Sequence, residues 1–547
     1  MSSLSISQSL ALERHGQPGE DQPEQILARV ASALAQDADQ VREFERAMQE
    51  GLLPGGRILA NAGARGPNPP TLANCFVHPL AAGALGLKQT LQEVGRTLRQ
   101  GGGVGLSLNA CQGRATGHET GLPLSEVLLA FEALAHDIES AGGRPAALMG
   151  TLSVDHPGAL ELIEVKRIHP MPHFNLSLAL TDAFMRCLRH SSAALSLWMT
   201  LSRSTLEQGD PGVLFIDTIR RNDNLGDHET LEACNPCGEQ PLPEWGACVL
   251  ASIDLTRLVQ SPFSPAARID LDRLRGLSRT GVALLDQAID RGAFPWPQQT
   301  RLAQSQRRIG LGLLGLGDAL IMLGLRYDSS AGRALAAELM REIQCAAWET
   351  SIMRARRFGP NGACPGAHLL QPGHSASRLP VELQADLRRH GARNTHLTSI
   401  APTGTLALAW ADNASPGVEP VFTHDGDRNR RDAHGVLRSM GVSSPALRLW
   451  RAKAAWHADV LRSGDTRSDR TRSDPYPVAW QTIETLSPTA QIAMVAALQP
   501  WVDGGISKTL AMGPNASPGE VANALRLAWR CGLKGLAVYK MPTRACG

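Results

Sequence analysis

The densest reactive chemistry in this 547-residue chain lies in Cys234-Asn235-Pro236-Cys237-Gly238-Glu239, with Cys248 following soon after. Three chemistries fit such a cluster. A zinc site takes four ligands; the nearest fourth is His228, and no second paired-cysteine knuckle supports it. A redox dithiol would pair Cys234 with Cys237, but the small βαβ frame that usually carries that pattern is missing. The third chemistry sets a reactive sulfur at Cys237, a base at Glu239 and an amide donor at Asn235. Positions i, i+2 and i+4 of an extended segment face one side, so these groups converge on one small molecule. A thiol, a base and an amide form a catalytic set rather than a packing set.

Three glycine-rich segments invite a ligand reading. Gly310-Leu311-Gly312-Leu313-Leu314-Gly315 spells the dinucleotide fingerprint, but Gln304 to Arg308 before it are polar and basic where a buried strand is required. Close packing of a helix or turn on small residues accounts for it better. Gly101-Gly102-Gly103-Val104-Gly105 permits a close backbone approach. Pro402-Thr403-Gly404-Thr405 follows a strand-like run and precedes an Ala/Leu-rich segment, an order that aims helix N-terminal amides at a phosphate or simply caps a helix.

These groups need a frame. Hydrophobic residues make up 43% of the chain and charged ones 19%, enough to bury a large core. A net charge of +2 excludes a strong field for nucleic acid. No basic and apolar leader opens the chain, and the most apolar stretch, Gly310 to Leu325, contains Asp318 and is short for a bilayer. Ten cysteines are too sparse for a disulfide scaffold, so the expectation is a cytoplasmic protein without membrane contact. Residues 1–22 read as a mobile tail and 23–52 as helical, with Ile26, Leu27, Val30, Ala33 and Leu34 at helical spacing. Strand-like runs at Leu72 to Val77, Asn175 to Leu180, Val213 to Ile216, Cys248 to Ile253 and Leu397 to Ile400 alternate with helix-like stretches. Leu87 to Arg99, Leu124 to Glu139 and Leu335 to Arg354 are examples, and the alternation predicts an α/β catalytic body over 53–543. Ser463 to Pro477 repeats Thr-Arg-Ser-Asp without apolar periodicity and reads as an exposed loop over 463–477.

Asn235-Pro236-Cys237-Gly238-Glu239, with Pro241-Leu242-Pro243 and Gly246-Ala247-Cys248, resembles the core of ribonucleotide reductases, most closely the adenosylcobalamin (vitamin B12)-dependent class II enzymes. The resemblance runs in one linear order. It begins at Arg57-Ile58-Leu59 and Asn74-Cys75-Phe76-Val77, then passes through Gly101 to Gly105, Val154-Asp155-His156-Pro157 and Phe174-Asn175-Leu176-Ser177. It continues through Arg307-Arg308-Ile309-Gly310-Leu311-Gly312, Ala401 to Thr405, Asn413-Ala414-Ser415 and Gly417-Val418-Glu419-Pro420. Ile506-Ser507-Lys508-Thr509 and Leu533-Lys534-Gly535 close it. It implies a ten-stranded α/β barrel holding the Cys237 segment as a central finger loop.

The resemblance also implies roles. Cys237 would carry a thiyl radical that abstracts the 3′-hydrogen, Glu239 would take the 3′-hydroxyl proton, and Asn235 would hold the ribose hydroxyls. Cys75 and Cys248 would supply two electrons and form a disulfide. Pro402, Thr403, Gly404 and Thr405 would cradle the phosphates of a ribonucleoside diphosphate, with Asn74 and Gly103 lining it. Only three tyrosines exist, with no Tyr-Tyr pair near the C-terminus and no glycyl-radical tail, so adenosylcobalamin is the expected radical source. No resident metal site is expected in the chain itself.

Several positions depart from the family pattern. Gly142-Gly143-Arg144-Pro145 alters the effector loop, where Pro145 fixes φ and removes a donor; Arg144 remains its candidate nucleotide-effector contact. Ala251 replaces a glycine. Cys234 is an extra thiol, hypothesised to bridge to Cys237 in air. The cysteine-pair extension that re-reduces the active site is not recognisable, since Cys546 stands alone at the end and Cys531 falls within a helix-like run. The expected reductant is therefore a thioredoxin- or glutaredoxin-like protein, or a separate chain supplying a cysteine pair. No ATP-cone regulatory domain is expected before the barrel, where the segment is short. A homodimer is expected by resemblance. The rival reading is a non-catalytic nucleotide- or cobalamin-binding paralogue with a regulatory or assembly role.

Overall fold

A sheet of short, continuously apolar strands has two faces to bury, and amphipathic helices between the strands cover the outer one. The computed structural model describes residues 4–64, 70–112, 122–140, 146–431, 437–462 and 476–542. A short strand, β1 (Leu52–Pro54), precedes five that follow one another in the chain: β2 (Cys75–His78), β3 (Gly103–Ser107), β4 (Leu148–Ser153), β5 (Phe174–Leu180) and β6 (Gly212–Phe215). Each pairs in parallel with the next, in registers that include Cys75↔Gly103, Val104↔Leu148, Leu148↔Phe174 and Ser177↔Gly212. Helices Gly83–Arg99, Leu124–Ser140, Ala159–Ile168 and Ser192–Gln208 make the crossovers. The last is capped by Ser191 at one end and stopped by left-handed Gly209 at the other.

A two-residue hairpin, β7 (Ala233–Cys234) and β8 (Pro241–Leu242), leads into the long strand β9 (Ala247–Asp254). Beyond a small ribbon of β10 (Val259–Gln260) and β11 (Arg268–Ile269) comes β12 (Ile309–Leu314). A peripheral hairpin, β13 (Asp425–Arg431) and β14 (Leu437–Ser443), precedes β15 (Thr509–Met512) and β16 (Gly535–Lys540). β9 runs antiparallel to β2 and parallel to β12. From β12 the pairing continues through single bridges, Leu311↔Thr398 and Ile400↔Ile506, to the segment entering β15. β15 pairs with β16, and β16 returns antiparallel to β6 at Gly535↔Leu214. The sheet thus closes on itself as two parallel halves of five, counting 397–400 as a strand, joined at antiparallel seams; β1 flanks β9 outside the ring.

Strand alternation separates the inside from the outside. On β2, Phe76 points to the helix-covered outer core, whereas Cys75 and Val77 share an inner cluster with Ala233, Leu242, Cys248 and Leu250. On β9, Val249 and Ala251 face out.

Three expectations need correction. The segment expected as a mobile tail contains α1 (Ile6–His15), closed by a Ser5/Gln8 capping box and burying Leu10 and Ala11. Trp410 Nε1 donates to His15 Nδ1 at 3.2 Å, and Arg29 in α2 (Pro23–Leu34) donates to the carbonyls of His15 at 3.1 Å and Leu59 at 3.0 Å. Its apolar positions are few, but a neighbouring helix supplies the other face. Second, Gly310 to Leu314 belongs to strand β12, not to a helix or turn. The small residues do serve packing: a Cβ on Gly312 would lie 2.2 Å from the Ser399 carbonyl oxygen. Third, the apolar run from Leu72 becomes a strand only at Cys75. The helical expectation over 23–52 corresponds to α2 and α3 (Ala38–Gln49). The exposed loop expected over 463–477 lies outside the described residues up to 475, as does Arg144.

Candidate active site

The β7–β8 hairpin enters the barrel as a finger, paired at Cys234↔Pro241. Its turn is set locally. Pro236 presets φ at the second turn position, Gly238 N–H donates to the Asn235 carbonyl at 3.0 Å, and Gly238 itself sits at φ +80°. The walls can touch this backbone because glycines face it. A Cβ on Gly105 would lie 1.9 Å from the Cys234 carbonyl oxygen, and one on Gly505 would lie 2.7 Å from that of Gly238. Gly505 N–H donates to the Glu239 carbonyl at 2.8 Å, and Asn175 Nδ2 to the Pro236 carbonyl at 3.2 Å. Gly103, expected to line substrate, lies against the finger: a Cβ there would stand 3.1 Å from the Pro236 ring.

Four of the predicted residues meet at the finger root. Cys75 and Cys248 are direct cross-strand partners on β2 and β9. Asn235 Nδ2 donates to Cys75 Sγ at 3.2 Å, and Asn235 Oδ1 accepts from Gln240 N–H at 3.0 Å. Cys75 Sγ in turn donates towards Glu239 Oε1 at 3.8 Å. The other carboxylate oxygen, Glu239 Oε2, is buried with no partner. Burial pushes the Glu239 pKa up to about 7, against the pull of the Asn235, backbone and Cys75 hydrogen bonds.

Cys237 is different. It lies deep within the barrel, yet its side chain is exposed, open to the space above the finger. Burial, then the Glu239 carboxylate and Cys234, hold its thiol in the protonated form. Cys234 is fully buried, in an apolar cluster with Met149, Ala179, Leu214 and Leu231. Burial, then the Glu239 carboxylate, likewise keep it protonated.

The candidate phosphate cradle stands on a separate wall. Thr403 is buried in a left-handed conformation at φ 46°, with Oγ1 accepting from Gly417 N–H at 2.8 Å. Pro402, Gly404 and Thr405 are exposed, and Gly404 opens the helix Gly404–Trp410 with clear space where a Cβ would point. Asn74 N–H donates to the Cys248 carbonyl at 3.3 Å, while its Oδ1 is buried without a partner.

Sequence reasoning assigned no role to Gln240, Ser399 or Arg308. Gln240 Nε2 donates to Ser399 Oγ at 2.7 Å and ties the finger to the opposite wall. Arg308 is buried, donates to the Pro241 carbonyl at 3.1 Å and pairs with Glu229. Two adjacent arginines before an apolar strand were the available signal. Glu229, Asp223 and His396 place ligand atoms within 4.8 Å of one another, but as a satisfied ion network. His396 Nε2 bonds Asp223 Oδ1 at 2.8 Å, and Gln306 donates to Glu229 Oε2 at 2.8 Å. Tyr327 donates its hydroxyl to the Val418 carbonyl at 2.6 Å, and Tyr539 is exposed on β16. Among the described residues no helix is long and apolar enough to cross a membrane.

Known proteins match this arrangement. The family described as the ribonucleotide reductase barrel domain matches residues 73–194 and 187–539. A vitamin B12-dependent ribonucleoside-diphosphate reductase of Mycobacterium tuberculosis is 30% identical over 520 residues, covering 90% of this chain and 70% of that protein. One from Thermoplasma acidophilum is 27% identical over 535 residues, covering 91% and 65%. The class Id ribonucleotide reductase alpha subunit of Actinobacillus ureae superposes with a TM-score of 0.76 over 98% of this chain and 97% of that one, at 18% identity, a likeness of fold. With a closed barrel, a cysteine-tipped finger and a cross-strand cysteine pair at its root, the chain belongs to the ribonucleotide reductase family.

Proposed function

We propose that this protein reduces ribonucleoside diphosphates to 2′-deoxyribonucleoside diphosphates, with adenosylcobalamin as radical source and two of its own thiols as reductant. The observation that carries the reading is the register Cys75↔Cys248, which sets two thiols face to face beside the Glu239 carboxyl, at the root of the finger that bears Cys237. Cys237 in its thiyl form takes hydrogen from the ribose 3′ carbon. Glu239, with a pKa near neutrality, takes the 3′-hydroxyl proton and can return it. The 2′-hydroxyl leaves as water, and Cys75 and Cys248 give up two electrons and two protons to become a disulfide. Asn235 and Asn74 orient the ribose, and the backbone from Pro402 to Thr405, with Gly103 nearby, receives the diphosphate.

The residues present suit the cofactor. Cys237 is the one exposed thiol of the finger, and the next residue, Gly238, has open space where a Cβ would point. Adenosylcobalamin, when bound, supplies a one-electron oxidant by homolysis of its cobalt–carbon bond. The chain's part is to keep Cys237 accessible from that side and shielded by apolar walls from the others. The relatives named as vitamin B12-dependent support the same choice. We place the enzyme in the cytoplasm, as a homodimer re-reduced by a thioredoxin- or glutaredoxin-like protein or by a separate dithiol-bearing chain, and assign effector contact to Arg144.

Retention of Cys75, Asn235, Cys237, Glu239 and Cys248 together disfavours the non-catalytic paralogue, which needs no such set. The test is anaerobic turnover with adenosylcobalamin, the four ribonucleoside diphosphates and excess dithiothreitol. Deoxynucleotide that disappears in Cys237→Ala supports the reading. Its absence from folded protein that binds cobalamin and nucleotide overturns it.

A further inference from the structure

Cys75 and Cys248 face each other and share the Glu239 carboxylate, yet only one of them has a cation beside it. The Glu239 carboxylate lies against Cys75, 3.8 Å from its sulfur. On the Cys248 side stands Arg308, only 3% exposed, which the parallel register Ile309↔Val249 sets beside Cys248 on β9. One of its terminal nitrogens holds the Pro241 carbonyl at 3.1 Å, the other pairs with Glu229, and its Nε–H is buried with no partner. Burial keeps both thiols protonated. The Glu239 carboxylate reinforces that effect at both sulfurs, but at Cys248 the Arg308 charge opposes it more strongly than the carboxylate reinforces it, whereas at Cys75 no cation does and only the Asn235 amide opposes.

We propose that the two sulfurs are unequal towards a reducing dithiol: Arg308 makes Cys248 the sulfur that departs as a thiolate, so the incoming thiol bonds to Cys75. This rests on the reading of Cys75 and Cys248 as the redox pair. The incoming thiolate forms a bond to Cys75 Sγ, the Cys75–Cys248 bond breaks, and its electron pair stays on Cys248 beside the guanidinium. The second thiol of the reductant then attacks the sulfur now joined to Cys75. Cys75 leaves, taking a proton that Glu239 is placed to supply, and the dithiol departs as a disulfide. Two electrons have passed from the dithiol to the pair. Arg308 is thus a positioning residue, acting through Cys248 and through the finger arm it holds.

The test uses the full chain, oxidised either by turnover without reductant or by diamide. A pulse of 2-mercaptoethanol is quenched in acid, free thiols are alkylated, and peptides are mapped by mass. We expect roughly tenfold more mercaptoethanol adduct on Cys75 than on Cys248, from the usual dependence of thiol exchange on the leaving sulfur. Arg308→Gln should erase the preference and Arg308→Lys should retain it; a merely structural role would lower stability and leave the ratio unchanged. Equal adducts, or an excess on Cys248, overturn the proposal. A bridge formed by diamide but never by turnover refutes the reductase reading while the adduct ratio still decides the asymmetry. No Cys75–Cys248 bridge by either route overturns both.

Discussion

Glu239 couples stability to catalysis through one buried proton. Its pKa of about 7, against an ordinary 4.5, means the folded protein holds a proton that the unfolded chain releases between those two values. The folded state therefore binds more protons across that window, and its stability falls as pH rises from about 4.5 to 7. Above pH 7 the accumulated cost is about 3 kcal/mol, the free energy equivalent of that difference. Glu239→Gln cannot ionise and so escapes the cost. Relative to wild type, its urea-unfolding midpoint should rise progressively from pH 5 to pH 8 and level off above. Comparing the two proteins cancels every other titrating group. Activity should move the opposite way. Wild-type kcat/KM with dithiothreitol should rise with pH through about 7 as the carboxylate becomes available as a base. The Gln variant should lose that inflection and about 10²–10⁴ in rate. A parallel pair of stability curves would refute the argument, because it would mean the carboxyl is solvated in the folded protein. Full activity in Glu239→Gln would remove it from the proton path.

Other outcomes follow from single contacts. Cys75→Ser and Cys248→Ser should each abolish multiple turnover with dithiothreitol and prevent the bridged peptide from forming, while leaving nucleotide binding intact in equilibrium dialysis. Gly105→Ala places a methyl 1.9 Å from the Cys234 carbonyl oxygen. The finger must shift, and we expect a loss of about 1–3 kcal/mol in chemical denaturation together with a large fall in kcat; near-wild-type turnover would show that the finger position is not critical. Air-exposed protein should yield a Cys234–Cys237 bridged peptide by mass mapping, and Cys234→Ala should resist inactivation by air in its reduced, cofactor-free state; a free Cys237 after exposure would sink this hypothesis.

What was legible in the sequence was local. Asn235, Cys237 and Glu239 stand within one short extended segment, so residue type and spacing alone describe a thiol, a base and an amide that can act together. Alternating apolar strands and amphipathic helices likewise announce an α/β body, because each pattern is a consequence of strand and helix periodicity. Elements that depend on a distant partner were not legible. α1 looks too polar to be ordered until Trp410 and Arg29 are set against it. Gly310 to Leu314 is a strand because β9 lies on one side and 397–400 on the other. The decisive chemistry belongs to the same class. Closure of the barrel makes Cys75 the cross-strand neighbour of Cys248, and burial gives Glu239 a pKa near neutrality. Through the β12–β9 register it also sets Arg308 beside Cys248, and it brings Glu239 within 3.8 Å of the Cys75 sulfur. A sequence specifies which groups exist, but their mutual distances and their access to water set their reactivity, and only the assembled barrel determines those.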